Sequence, residues 1–262
     1  MKNFVVITLC LSAYVCYGQV VEHFDDGNFT SDPSWAGNGA HFIVNPGQQL
    51  QLNNSTAGAS YLSTSLPVTS IDGFEWEGYV KQTFSASGSN YGRIYLLSDQ
   101  SNFTAPLNGY YLQLGEAGSN DAVELFRQTG TAHTSICRAT NAMIASSFAI
   151  RIRVTRGEAG LWTLYVDYSG GFSFVEEAHG TDSTFKSGSH FGVYCLYTAS
   201  NANKFFFDDL VAGPPVGDIT PPEFSGITVS SQTELLIEFS EPLDSTSVLA
   251  SNFLAGDSLG NP

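Results

Sequence analysis

The chain has 262 residues, 42% hydrophobic and 13% charged, with ten Lys/Arg against 25 Asp/Glu and a formal net charge of −15. Nucleic acid is held by clustered Lys and Arg that displace phosphate counterions, so this balance argues against nucleic acid, and equally against an anionic membrane, as a partner. It suits a soluble surface that resists self-association and leaves carboxylates available for Ca²⁺.

The chain opens "MKNFVVITLCLSAYVCYGQVV". A positive Lys2, a short apolar run over residues 4–15, and Cys16 and Gly18 at the −3/−1 spacing of a signal-peptidase site predict an export signal over 1–18, cleaved after Gly18. No later stretch approaches the roughly 18 apolar residues of a membrane helix, so no membrane insertion is expected once the signal is gone. Cleavage leaves two cysteines, Cys137 and Cys195, each in a strand-like run, and pairing or two buried thiols are both compatible with that placement.

From Val20 onward the apolar runs are short, aromatic or β-branched, and closed by Gly, Asn, Asp or Ser. In order they are "AHFIVN", "QQLQLN", "ASYLSTSL", "GFEWEGYVKQTF", "YGRIYLLSD", "GYYLQLGE", "AVELFRQ", "FAIRIRVTR", "LWTLYVDY", "FSFVEEA", "HFGVYCLYT" and "KFFFDDLVA". About a dozen strands at this spacing predict an antiparallel two-sheet β-sandwich over residues 20–213, with "ATNAMIASSF" the one place for a helical turn. "SASGSN", "GEAGSN", "TRGEAG" and "YSGG" read as hairpin turns of a meander.

Period-two alternation assigns faces. It sends Phe74, Trp76, Val80 and Phe84 inward and Glu75, Glu77, Tyr79 and Lys81 outward. It turns Ile94 and Leu96 in, with Tyr91, Arg93, Tyr95 and Leu97 out; Tyr110, Leu112 and Leu114 in, with Tyr111 and Gln113 out; and Phe148, Ile150, Ile152 and Val154 in, with Arg151 and Arg153 out. Trp35, Trp76 and Trp162 are expected in or beside the core. The outward residues, taken together, suggest one polar and aromatic sheet face.

After Gly213 a Pro/Gly connector, 214–219, leads to a second pattern over 220–262 ("FSGITVSS", "TELLIEFS"), too short for an independent core. A longer parent chain is expected.

The order signal, "FDDGNF…W", meander, "WTLYVDY", "HFGVYCLYT", "FFFDD" over residues 19–213 resembles the concanavalin A-like or laminin-G-like jelly roll of secreted bacterial surface proteins. The tail "DITPPEFSGITVSSQTELLIEFSEPLDSTSVLASNF", with "TPP", "EFSEP" and a closing "D.LGNP", resembles the start of an SbsA-type Ig-like domain. The expected fold class is therefore all-β: a jelly-roll sandwich followed by a partial Ig-like sandwich. The combination is similar to the N-terminal parts of exported proteins that carry further modules such as lamin-tail domains. It implies a secreted or cell-surface protein whose jelly roll recognises a polysaccharide or a surface protein.

The resemblance also implies neighbouring first and last strands, which would bring Asp25 and Asp26 together with Asp208 and Asp209 as a candidate structural calcium site, Asn28 and the Gly27 turn adding oxygens. The alternative is a turn and a strand end. Glycan processing needs two carboxylates about 5–9 Å apart; the Glu-x-Asp-x-x-Glu segment of jelly-roll glucanases is absent, and Glu75 and Glu77 read more simply as a solvated charge lattice. "GDSLG" at 256–260 matches a nucleophile elbow but lacks the strand–turn–helix context and a following acid and histidine. The candidate ligand site is Tyr79, Arg93, Tyr95, Tyr111 and Gln113, an aromatic floor with polar groups to orient a sugar. The leading expectation is a non-catalytic recognition or adhesion module, with a glycan-processing enzyme and a structural spacer as alternatives.

Overall fold

The computed structural model describes residues 19–215, 224–231 and 234–239. The expected signal 1–18, most of the connector, and the 256–260 motif lie outside the described residues. The chain divides into two compact units, one ending at Pro215 and the other beginning at Val216. Among the described residues no helix is long and apolar enough to cross a membrane.

The first unit contains β1 (Val20–Glu22), β2 (Trp35–Gly37), β3 (Phe42–Val44), β4 (Leu50–Leu52), β5 (Gly58–Val68), β6 (Phe74–Gln82), β7 (Tyr91–Ser98) and β8 (Leu107–Leu114). It continues with β9 (Val123–Gly130), β10 (Ala132–Arg138), β11 (Phe148–Arg156), β12 (Leu161–Asp167), β13 (Val175–Thr181), β14 (Gly188–Tyr197) and β15 (Phe205–Gly213). An eight-stranded sheet runs β13-β12-β11-β6-β15-β4-β3, with β1 also on β15; a seven-stranded sheet runs β10-β9-β8-β7-β14-β5-β2. We call these the first and second sheets. The expected two-sheet sandwich is what forms, and the first and last strands pair, Val20 with Ala212. "ATNAMIASSF" makes turns rather than a helix before β11 begins.

The alternating apolar rows meet between the sheets. Trp76 stacks on Trp162 with centroids 5.4 Å apart, and the Trp76 indole donates to the Leu96 carbonyl across the sandwich at 2.9 Å. Trp35, Trp76 and Trp162 are all buried. Such pairs contribute packing beyond the area they bury. Gly78 leaves room in the inner row of β6 for Leu210, whose Cδ2 lies 2.9 Å from where a Cβ would stand.

Two expectations change, and the open question of the cysteines is answered. "TRGEAG", "YSGG" and "GEAGSN" do join paired strands, but "SASGSN" carries the chain from β6 in the first sheet to β7 in the second. Leu97 faces the core, not solvent: a bulge after Tyr95 resets the register so that Leu97 pairs with Tyr110, and Leu96 and Leu97 are both buried. Cys137 and Cys195 are buried free thiols, on β10 and β14. Burial pushes both up, Cys137 to about 11, so neither is a ready nucleophile.

In the second unit β16 (Phe224–Ser231) and β17 (Glu234–Phe239) form an antiparallel hairpin, with Ile227 opposite Ile237.

Candidate functional site

The crossover between β6 and β7 splits the anticipated outer row in two. Glu75, Glu77, Tyr79 and Lys81 stand with Arg151 and Arg153 on the first sheet, whereas Arg93, Tyr95, Tyr111 and Gln113 stand on the second. Tyr79 therefore leaves the ligand-site set.

The first sheet's outer face is a closed charge lattice. Arg153 bonds Glu77 at 3.0 Å and approaches Glu75 at 3.5 Å. Arg151, itself buried, reaches Asp209 at 2.6 Å and Glu77 at 3.6 Å. Phe172 and Phe174 lie over the two guanidiniums at 4.1 and 4.2 Å from the ring centroids. Burial pushes the Glu75 carboxyl up while Arg153 opposes it. Glu77 is thus paired with Arg153 directly opposite it and with the diagonal Arg151, and Glu75 with the diagonal Arg153, across the β6–β11 pair, as the lattice reading expects.

Of the two acidic pairs, Asp25 is near enough to Asp208 for its charge to be felt there. Asp208 and Asp209 lie at a bulge inside β15, not at its end, where pairing with β6 jumps from Asp208 to Val211 and Asp209 adopts φ 48°. The bulge turns Asp209 toward Arg151 and His23, the latter 2.7 Å away. Burial raises the Asp209 carboxyl, but these two partners outweigh it and hold it below the usual range. Asp208 has no such cation: burial and the charges of Asp209 and Asp25 push it up to about 6, against bonds from the Asp209 N–H and Gln49. Asp26 caps its own turn through Asn28. Among the described residues no group of three or more His, Cys, Asp or Glu is arranged to hold a metal. With Asp209 ion-paired and Asp26 turned to Asn28, the four carboxylates as arranged do not fit a calcium cage, which needs six to eight oxygens.

The second sheet's outer face carries the cleft. Tyr95 and Tyr111 point outward as the alternation requires, yet both are buried: the β7–β8 loop folds back over Tyr95, and Phe126, His133 and Arg93 cover Tyr111. Phe103 of that loop stacks on Tyr95 at 4.2 Å and leans on Tyr61 at 5.6 Å. Gly192 makes this possible, since a Cβ there would stand 2.8 Å from the Phe103 ring and 2.2 Å from the Leu62 carbonyl oxygen. With Leu107 and Tyr194 these residues form a second small apolar cluster outside the main core.

Beside this cluster a cleft of about 300 Å³ is lined by Tyr91, Arg93, Tyr95, Phe103, Gln128 and Tyr194, together with His133, Thr131 and residues 104–106. The Arg93 guanidinium lies 4.3 Å from the Tyr111 centroid, 5.1 Å from Tyr91 and 5.5 Å from Tyr194. Its Nε donates to Gln113 Oε1 at 3.1 Å and its Nη1 to Tyr95 Oη at 3.3 Å. Tyr95 in turn donates to Gln128 Oε1 at 3.0 Å, and Tyr111 bonds His133 at 3.0 Å. Burial and the Arg93 charge both push His133 down, which favours its neutral form. Burial pushes Tyr194 up to about 12. Sequence reasoning found Arg93, Tyr95, Tyr111 and Gln113 but missed Phe103, Gln128, His133 and Tyr194. The one available signal was Phe103, an aromatic in the otherwise polar turn "SDQSNFTAP".

No protein-family model and no curated protein matches this chain. Solved structures do. The VIP36 exoplasmic/lumenal domain in its Ca²⁺/Man3GlcNAc-bound form is 11% identical, covering 78% of this chain and 90% of that one, TM-score 0.56. The Emp47p carbohydrate recognition domain is 15% identical over 74% of this chain and 93% of its own, TM-score 0.52. Lectin I-B4 from Griffonia simplicifolia, metal-free form, is 13% identical over 75% and 98%, TM-score 0.52. The likeness is one of fold: a jelly-roll sandwich of the legume-lectin-like kind.

Proposed function

We propose that the sandwich over residues 19–213 is a non-catalytic carbohydrate-recognition module, exported and displayed at the cell surface, with the region 220–262 as the start of an Ig-like spacer. The observation that carries the reading is the cleft on the second sheet: aromatic side chains with Arg93, Gln128 and His133 among them, the mix by which proteins stack and orient a sugar. The lining holds no Asp or Glu, whereas glycoside hydrolysis takes two carboxylates; this favours a binder over the glycan-processing alternative. The solved structures of the same fold include domains captured with mannose-containing ligands.

The test is binding of the full chain to a glycan panel, with Tyr194→Ala as the cleft variant. Binding without product, lost in the variant, supports the module. No binding to any glycan leaves the structural spacer. A structural calcium at the Asp25/Asp208 edge would need oxygens other than those of Asp209. Titration with Ca²⁺ followed by melting checks it, and an unchanged melting temperature rules it out.

A further inference from the structure

The sequence contains six arginines, and five of them meet a carboxylate. Arg127 pairs with Asp182, Arg138 with Glu116 and Glu124, Arg151 with Glu77 and Asp209, Arg153 with Glu75 and Glu77, and Arg156 with Asp72. Arg93 is the exception among the described residues: its partners are an amide and tyrosines. In a chain with 25 acids and a net charge of −15, a guanidinium half withdrawn from water without a counter-ion needs an explanation, because leaving a charge in such a site costs free energy unless something pairs with it.

The geometry narrows what that something is. Three tyrosine rings crowd the guanidinium, and Nε together with one N–H of Nη1 is taken by Gln113 and Tyr95. Nη2 and the second N–H of Nη1 have no partner among the described residues, and Arg93 lines the cleft. Two adjacent guanidinium nitrogens with N–H groups to spare suit the two oxygens of a carboxylate. The nearest acid in the same cross-strand row, Glu124, stands beyond Gln113 and is held by Arg138 and Ser135. His133, the other titratable group facing Arg93, supplies no negative charge. Gln128, which accepts from Tyr95 and gives one amide N–H to the Gly130 carbonyl, keeps its second amide N–H, and with Thr131 it adds neutral polar groups of the kind that hold sugar hydroxyls.

We infer that the cleft binds an acidic sugar, a pyranose whose carboxylate pairs with the free edge of Arg93 while the aromatic lining and Gln128 take the ring and its hydroxyls. This rests on the carbohydrate reading above and narrows it to a substrate class. The opposing net charge of the whole chain is screened within about 8 Å at physiological salt, so the local guanidinium decides.

The experiment is calorimetric titration of the full chain with the methyl glycosides of glucuronic, galacturonic and N-acetylneuraminic acid, each against a neutral counterpart, and with sodium acetate and sodium sulfate alone. At least one acidic glycoside is expected to bind ten-fold or more tightly than its neutral counterpart, with affinity falling as salt rises. Arg93→Met is expected to abolish that preference and Arg93→Lys, which loses the planar fork, to reduce it. Gln113→Glu supplies Arg93 with an internal counter-ion and is expected to remove the preference while keeping the arginine, at a small cost in melting temperature because Glu124 stands opposite it. Equal affinity for acidic and neutral glycosides overturns the inference and leaves the carbohydrate reading standing. Acetate or sulfate binding as tightly as the glycosides overturns it in favour of a bare anion site. If no saccharide binds, in this set or in the glycan panel, the carbohydrate reading falls as well.

Discussion

On the outer face of the first sheet Arg151 and Arg153 are met by Glu77, Asp209 and Glu75; on the outer face of the second, Arg93 is met by tyrosines and an amide. Both faces arise from the same alternating texture. The first pairs its arginines with its own carboxylates, which ties its strands together. The second seals Tyr95 under Phe103 and leaves one arginine without a counter-ion beside a cleft. A face whose arginines meet carboxylates reads as architecture, and one that leaves a guanidinium without a counter-ion reads as a site.

The contrast is broken most severely at Arg151. Arg151→Ala strips the partner from Asp209 and Glu77 at a buried position and is expected to cost about 3 kcal/mol in urea unfolding. Phe103→Ala removes the ring that seals Tyr95 and is expected to cost about 2 kcal/mol, less than a fully enclosed phenylalanine because the loop can relax. It should also raise the fluorescence accessibility of the tyrosines to a neutral quencher.

A smaller effect is expected of Asp208→Asn. The folded carboxyl is pushed up to about 6, so between about pH 4 and 6 the folded state holds a proton that the unfolded chain has released. Stability from this group is therefore present at low pH and lost as pH rises through 6. The amide should gain about 1 kcal/mol at pH 7 and nothing at pH 4, measured by unfolding at both. The smallest change in stability is expected of Arg93→Met, within about 1 kcal/mol in either direction, since the lost amide and ring contacts are offset by removing an unpaired charge. Near-equal destabilisation by Arg93→Met and Arg151→Ala would erase the distinction between the two faces.

Much of the fold was legible. Period-two alternation is a property of each strand taken alone, so the inward rows of β6, β8 and β11, the buried tryptophans and the antiparallel sandwich follow from local pattern. So does the outward direction of Arg93, Tyr95, Tyr111 and Gln113.

What local pattern cannot carry is which sheet a strand joins. That is decided by long-range backbone pairing, and the Gly- and Ser-rich "SASGSN" serves a crossover as readily as a hairpin, so Tyr79 was grouped with residues on the opposite side of the molecule. Bulges are equally invisible: one residue inserted after Tyr95 turns Leu97 inward, and one inside β15 sends Asp209 to Arg151 instead of to a shared metal. The sequence by itself determined the outward rows wherever the strand runs without a bulge. Only the tertiary structure decided which of those side chains are covered by a loop, which are paired across a sheet, and which guanidinium lacks a carboxylate partner among the described residues, because those outcomes depend on contacts between residues far apart in the chain.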